Sequence, residues 1–227
     1  MHNFGKQRRF FLAATAIAVS VSFCAFIAEI VLWMFPVSTG LLVQAVNEQS
    51  PIFRATPNQA YVYSKNWDFS LANQGAVNNA GFVNDQVYDA KDSSPLLAVI
   101  GDSFVEALMV PYGETIHGRL AKAVAESGRV YSFGFSGAAL SQYLAWAQYA
   151  TREYDPDGLI FVVVGNDFDQ SLTKYDSAPG FHHYAMTENG ELSLDRSDYE
   201  PGFFRPVVYQ SALLRYLIFN LKVTAQV

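Results

Sequence analysis

Three segments of this chain share one plan: an apolar run that stops at a short polar turn containing glycine. Leu96-Leu97-Ala98-Val99-Ile100 leads into Gly101-Asp102-Ser103-Phe104. Arg129-Val130-Tyr131-Ser132-Phe133 leads into Gly134-Phe135-Ser136-Gly137, and Leu159-Ile160-Phe161-Val162-Val163-Val164 into Gly165-Asn166-Asp167. Between the first two, Thr115 to Glu126 reads as a helix. Strands at 96–100, 129–133 and 158–164 that alternate with helices predict an α/β fold, with parallel strands joined by crossover helices. The spatial order 2-1-3 of flavodoxin-like sheets would put the Ser103 strand in the middle.

In such a sheet the three turns meet at the carboxyl edge, where ligands bind. A serine there has its backbone held by the sheet and its hydroxyl in the crevice, as nucleophilic catalysis needs. Acyl transfer also needs N–H donors aimed at the developing oxyanion. The Ser103 N–H, the Gly137 N–H and the Asn166 side-chain amide would supply three. Each has a plainer structural reading: Asp102 and Ser103 are ordinary turn residues, Gly137 suits a turn before a helix, and Asn166 suits a strand-end cap. Their occurrence in order, each at a strand terminus, favours the catalytic reading.

Gly101-Asp102-Ser103, then Gly137, then Gly165-Asn166-Asp167, resemble the first three blocks of the SGNH (GDSL-type) hydrolase superfamily. Asn78-Asn79-Ala80-Gly81-Phe82-Val83-Asn84-Asp85 resembles the Asn-x-x-Gly-Phe-Arg element that precedes the serine block in many membrane-anchored bacterial members, with Val83 in place of the Arg. Phe168 and Ser211 to Leu217 also fit that subgroup. The resemblance covers roughly residues 75 to 220. It implies a three-layer flavodoxin-like sheet, Ser103 as nucleophile, and Ser103, Gly137 and Asn166 as the oxyanion hole. It also implies chemistry that needs no metal or organic cofactor.

The chain departs from the family at its last block, Asp-x-x-His, which supplies the general base and its carboxylate. No Asp-x-x-His occurs; the histidines are His2, His117, His182 and His183. His2 precedes the apolar N-terminal run, and His117 falls inside the 115–126 helix. His182 and His183 lie beside a hairpin signal, Glu188-Asn189-Gly190, whose Asn-Gly suits a tight primed turn. Adjacent residues rarely converge on one metal, so the pair reads as a loop or strand surface. A single helix is expected over Val207 to Leu221, with apolar Leu213, Leu214, Leu217, Ile218 and Leu221. Three strands would leave Val162 to Val164 as an apolar edge, which soluble domains avoid. The expectation is therefore a fragment, with further strands and the Asp-x-x-His beyond Val227.

Lys6, Arg8 and Arg9 precede Phe10 to Phe35, nearly all apolar except for small hydroxyls and Glu29. Those 26 residues would span roughly 39 Å as a helix, enough to cross a bilayer. The basic cluster predicts a cytoplasmic amino end. The run is long for a signal peptide, and Phe26-Ile27-Ala28-Glu29 is a poor cleavage site. The expected organisation is a basic tail at 1–9, an anchor at 10–35, a connector and strand-containing extension at 36–90, and the α/β domain at 91–227. Val37 to Val46 could prolong the anchor helix. Tyr61-Val62-Tyr63 and Phe69-Ser70-Leu71 could be short antiparallel strands packed on the sheet domain. Tyr61, Tyr63, Trp67 and Phe69 read as packing residues, with a sugar-stacking platform as the sharper alternative.

Residues 1–36 carry three basic and one acidic side chain, and the remainder 12 basic and 20 acidic. That acidity argues against nucleic-acid binding. The lone Cys24 excludes an internal disulfide and gives no structural zinc site. The expectation is a single-pass protein of the bacterial inner membrane with its sheet domain in the periplasm. It would act as a serine esterase on acyl, first of all acetyl, esters such as O-acetylated glycan. An O-acetyltransferase of a cell-surface polysaccharide, and a non-catalytic assembly subunit that lacks the base, are the alternatives.

Overall fold

The alternation of side chains in Leu96–Gly101 sends apolar groups to both faces of a strand, which requires cover on both sides. The computed structural model, which describes residues 2–223, provides it. This strand, β3, is the centre of a three-stranded parallel sheet of order β4-β3-β5, with β4 at Arg129–Gly134 and β5 at Gly158–Phe161. Leu96, Ala98 and Ile100 join Tyr131 and Phe133 against helix α4, Leu140–Tyr154, which offers Tyr143, Trp146, Ala147 and Ala150 at helical spacing. Val99 and Val130 face the other way, with Ala121 of helix α3, Ile116–Val124. The result is helix, sheet, helix. Each large apolar side chain so buried contributes about 1.5–3 kcal/mol.

The expected order, with the Ser103 strand in the middle, is observed. The third strand is shorter than expected. Its last ladder bond is Val162 N–H to Ile100 C=O at 2.8 Å, and beyond Gly101 the central strand turns away and offers no further partner. Among the described residues β5 is the sheet's open edge, and Leu159 and Phe161 are exposed along it. The opposite edge is covered by side chains. Gln86 Oε1 accepts from Val130 N–H (3.1 Å), and Asn84 Nδ2 donates to Val130 C=O (3.2 Å). The Tyr88 hydroxyl accepts from Ser132 N–H (2.6 Å) and donates to its C=O (2.8 Å). The segment that resembles the Asn-x-x-Gly-Phe element therefore begins a loop that satisfies the free backbone of β4. Gly81 in it has φ +91°, and a Cβ there would meet Ala55 C=O at 2.5 Å.

Strands β1 (Ala60–Lys65) and β2 (Leu71–Ala76) form a two-stranded sheet. Phe69, expected in a strand, instead sits in the turn before β2 with φ +53°. Tyr61 is a core residue, packed with Leu41, Ala55, Val77 and Val83. After β5 come the one-turn helix α5 (Asp167–Gln170) and an antiparallel hairpin of β6 (His182–Met186) and β7 (Leu192–Arg196). The hairpin turn is not the expected primed type, since Asn189 does not take a positive φ. Gly190 alone does, at +80°, after a Gly190 N–H to Thr187 C=O bond of 3.0 Å. That is the pattern of a three-residue loop with its αL glycine last.

Helix α1 runs from His2 to Leu32, and its Gln7–Leu32 stretch is long and apolar enough to cross a membrane. It does not extend over Val37 to Val46. Its end tightens through Met34 N–H to Val31 C=O and Phe35 N–H to Leu32 C=O, and Pro36 has no N–H to continue the ladder. The single helix expected over Val207 to Leu221 is also broken. Helix α6 (Arg205–Gln210) stops at Ser211, whose extended backbone and side chain cap a new short helix, α7 (Ala212–Arg215), followed by a π turn at Tyr216–Asn220. Contacts divide the chain into two units: residues 40–63 and 73–203 hold the sheet, and residues 2–39, 64–72 and 204–223 gather around α1.

Candidate functional site

The carboxyl end of the central strand is built around two glycines. Gly101 of β3 and Gly134 of β4 pair in register, and a Cβ on either would strike Val105, at 2.5 Å from its Cγ2 and 2.8 Å from its Cβ. Val105 is fully buried in the short helix α2, Ser103–Glu106. Without those side chains α2 seats directly on the strand ends. Asp102 opens it: one carboxylate oxygen accepts from Phe104 N–H at 2.9 Å, and the other lies 3.4 Å from the Ser103 hydroxyl. Ser103 is the first residue of α2, half-buried, with Phe104 exposed beside it.

Gly137 lies in the turn after β4, closed by Ala138 N–H to Phe135 C=O at 3.1 Å. Its φ is +87°, which side chains other than glycine's resist, although a Cβ would meet nothing closer than Phe181 at 3.8 Å. This turn is tied to α2. Glu106 accepts from Ser136 N–H at 3.0 Å and from the Ser136 hydroxyl. Glu106 is almost wholly buried, and burial pushes its carboxyl up to about 7. Sequence reasoning missed it. A glutamate three residues after a candidate nucleophile, on a helix of one turn, was the available signal.

The Gly165-Asn166-Asp167 block lies beyond the carboxyl end of β5, at the same edge as Ser103 and the Gly137 turn. Asn166 is exposed, and its amide donates to Gln170 Oε1 at 2.7 Å. The buried member is Asp167, which accepts from Val164 N–H (2.8 Å) and from the Tyr143 hydroxyl (3.0 Å). Burial, and to a smaller degree the negative charge of Asp102, raise the Asp167 carboxyl above its ordinary range. Three carboxylates thus surround the serine edge: Asp102 capping, Glu106 clamping and Asp167 bracing.

No imidazole among the described residues hydrogen-bonds to Ser103. His117 is fully buried in α3, with neither ring nitrogen partnered, and desolvation lowers it to about 4. It lines a cleft with Tyr61, Asp85 and Tyr112 that none of Ser103, Gly137 and Asn166 reaches. His182 holds Nδ1 3.0 Å from Gln142 Oε1, and desolvation, helped by Arg196, lowers it to about 4. His183 is buried, and desolvation lowers it as well. All three are therefore neutral at pH 7. His2 lies in the stretch whose side chains are outside the described set. Compared with models of known protein families and with curated proteins, the chain matches none.

Proposed function

We infer that this chain is a membrane-anchored serine esterase or acyl hydrolase of the SGNH type, acting on acetyl or related acyl esters through an acyl-enzyme on Ser103. The observation that carries the reading is the clamp between Glu106 and Ser136. It joins the helix that starts at Ser103 to the turn that presents Gly137. In this mechanism the Ser103 hydroxyl oxygen attacks the acyl carbon, its proton passes to a base, and the Ser103 and Gly137 N–H groups meet the tetrahedral oxyanion. The intermediate then collapses to the acyl-enzyme as the ester C–O bond breaks and the departing alcohol takes that proton. Each such donor is worth about 2.7–4 kcal/mol. Asn166 joins them once its amide leaves Gln170. The acceptor of the acyl group, water or a glycan hydroxyl, decides between hydrolase and O-acetyltransferase; O-acetylated polysaccharide is the substrate class proposed. The basic Lys6, Arg8 and Arg9 ahead of the apolar run support the reading of a cytoplasmic amino end in a bacterial inner membrane, with the sheet unit periplasmic.

The absence of an imidazole beside Ser103 among the described residues favours a second reading, a non-catalytic subunit that keeps the sheet. One experiment separates the two. The full chain in detergent is incubated with an activated acetyl ester, with and without added imidazole as an external base. The enzyme reading expects an acetyl adduct on Ser103 that forms faster with imidazole and is absent in Ser103→Ala. Equal behaviour of the two proteins under both conditions favours the non-catalytic subunit.

A further inference from the structure

Around the end of α1 the structure assembles a collar. Glu29, three residues before the helix ends, accepts from the Ser211 hydroxyl and from the Ala212 and Leu213 N–H groups, each at 2.8 Å. Trp33 Nε1 donates to the same carboxylate at 2.8 Å, and the Arg215 guanidinium lies 5.1 Å over the Trp33 ring. Phe69 stacks on Phe35, with ring centroids 5.6 Å apart, and meets Tyr216 at the same distance. The Tyr216 hydroxyl then donates to Trp67 C=O at 2.9 Å. Residues 64–72 and α7 are thereby fixed at the depth of the last turn of α1.

That depth follows from length. Gln7–Leu32 is 26 residues, roughly 39 Å of helix, against a hydrocarbon core of about 30 Å. Its last turn therefore stands at the boundary of the core, and whatever is bonded to Glu29 stands there too. The collar has the composition of that zone. Met34 (81% exposed), Phe204 (74%), Trp67 (70%), Trp33 and Val207 present apolar and aromatic surface. Between the helix end and residue 223, this unit carries Lys65, Arg205, Arg215 and Lys222 against Asp68 alone, whereas the sheet unit carries 8 basic and 19 acidic side chains. Aromatic surface with excess positive charge, held at the end of an apolar helix, matches an anionic headgroup layer.

We propose that the collar formed by residues 33–35, 64–72 and 204–223 is a second membrane contact, seated in the headgroup layer of the anionic bilayer that α1 crosses. It rests on α1 being a span and is independent of any chemistry at Ser103.

The test uses the three tryptophans of the full chain in phosphatidylglycerol vesicles whose acyl chains are brominated near the headgroup. Trp146 is fully buried in the sheet unit and gives a constant background. Trp33→Phe leaves Trp67 as the second emitter, and Trp67→Phe leaves Trp33. The expected result is lipid-dependent quenching in both variants, equal to within about twofold, as a shared depth in the interface requires. Quenching of Trp33 with Trp67 unquenched and open to iodide places the collar in water and overturns the proposal while the span stands. Trp67 shielded from bromine and iodide alike means a protein covers it, and also overturns it. Quenching of neither removes the span and the collar together. In mixed vesicles, bromine on the phosphatidylglycerol should quench Trp67 more than bromine on an equal share of phosphatidylcholine, and equal quenching by the two labellings overturns the anionic assignment.

Discussion

The Glu106 carboxylate accepts hydrogen bonds from both the backbone N–H of Ser136, at 3.0 Å, and the Ser136 hydroxyl. It is one acid that couples the end of α2 to the turn after β4. Burial is the largest influence on it and disfavours its charge, so it titrates near 7 rather than 4.5. A carboxyl raised on folding stays protonated in the native state while the unfolded chain ionises. The native state then binds more protons between about pH 4.5 and 7, and stability falls as pH rises through that window. Glu106→Gln keeps an acceptor for Ser136 but cannot ionise. Thermal melts of both proteins from pH 4 to 8 should diverge, with the wild type losing up to about 3 kcal/mol relative to the variant by pH 7. Parallel pH profiles would mean that Glu106 titrates normally.

The paired glycines at the strand ends make a second prediction. Gly134→Ala pushes a methyl against Val105 and Glu106 N–H, an overpacking that typically costs about 1–3 kcal/mol. Val105→Ala alone leaves a cavity and costs of the same order. Together they should cost less than their sum, because the smaller residue 105 makes room for the new methyl. Denaturant midpoints of the two single variants and the double variant check the sign of the coupling; strict additivity would mean that the contact at 2.8 Å is not the cause.

Glu29 makes a third. Its three bonds to Ser211, Ala212 and Leu213 cap α7, and losing a cap costs about 0.5–2 kcal/mol. Glu29→Ala should leave α1 helical yet raise hydrogen exchange at the Ala212 and Leu213 amides by roughly 2- to 30-fold. Exchange unchanged at those two amides would show that the cap does not hold them.

Much of the sheet was legible because it depends on local patterning. The continuous apolar runs at 96–100, 129–133 and 158–164, each ending in a glycine turn, are enough to predict three parallel strands, and the flavodoxin-like order supplies the middle one. What escaped were features set by contacts distant in sequence. The break at Ser211 depends on Glu29, 182 residues away. Glu106 reads as an ordinary surface glutamate until Ser136 is beside it. Val37 to Val46 is apolar enough for helix, yet it is spent on isolated bridges such as Val43 with Ala55. At the candidate site the serine and glycine positions were legible from motif spacing. The state of Asn166 was not, because it depends on a neighbour one helical turn on.

That neighbour gives the last prediction. Asn166 Nδ2 donates to Gln170 Oε1 at 2.7 Å on an exposed surface, so the amide that should meet an oxyanion is already engaged. A hydrogen bond of this kind nets about 0.5–1.5 kcal/mol. An oxyanion donor is worth about 2.7–4 kcal/mol in the transition state, so the oxyanion outbids Gln170, but only after that bond is broken. Gln170→Ala removes the competitor without touching Ser103 or Gly137. Acetyl-enzyme formation on Ser103, measured with imidazole as external base, should then speed up by as much as about tenfold. Asn166→Ala should slow it by about 10²–10³-fold, and the double variant should be as slow as Asn166→Ala. A faster reaction in the double variant than in Asn166→Ala would mean that Gln170 acts by some route other than Asn166. No change in Asn166→Ala would remove Asn166 from the oxyanion hole and leave the Ser103 and Gly137 N–H groups to form it.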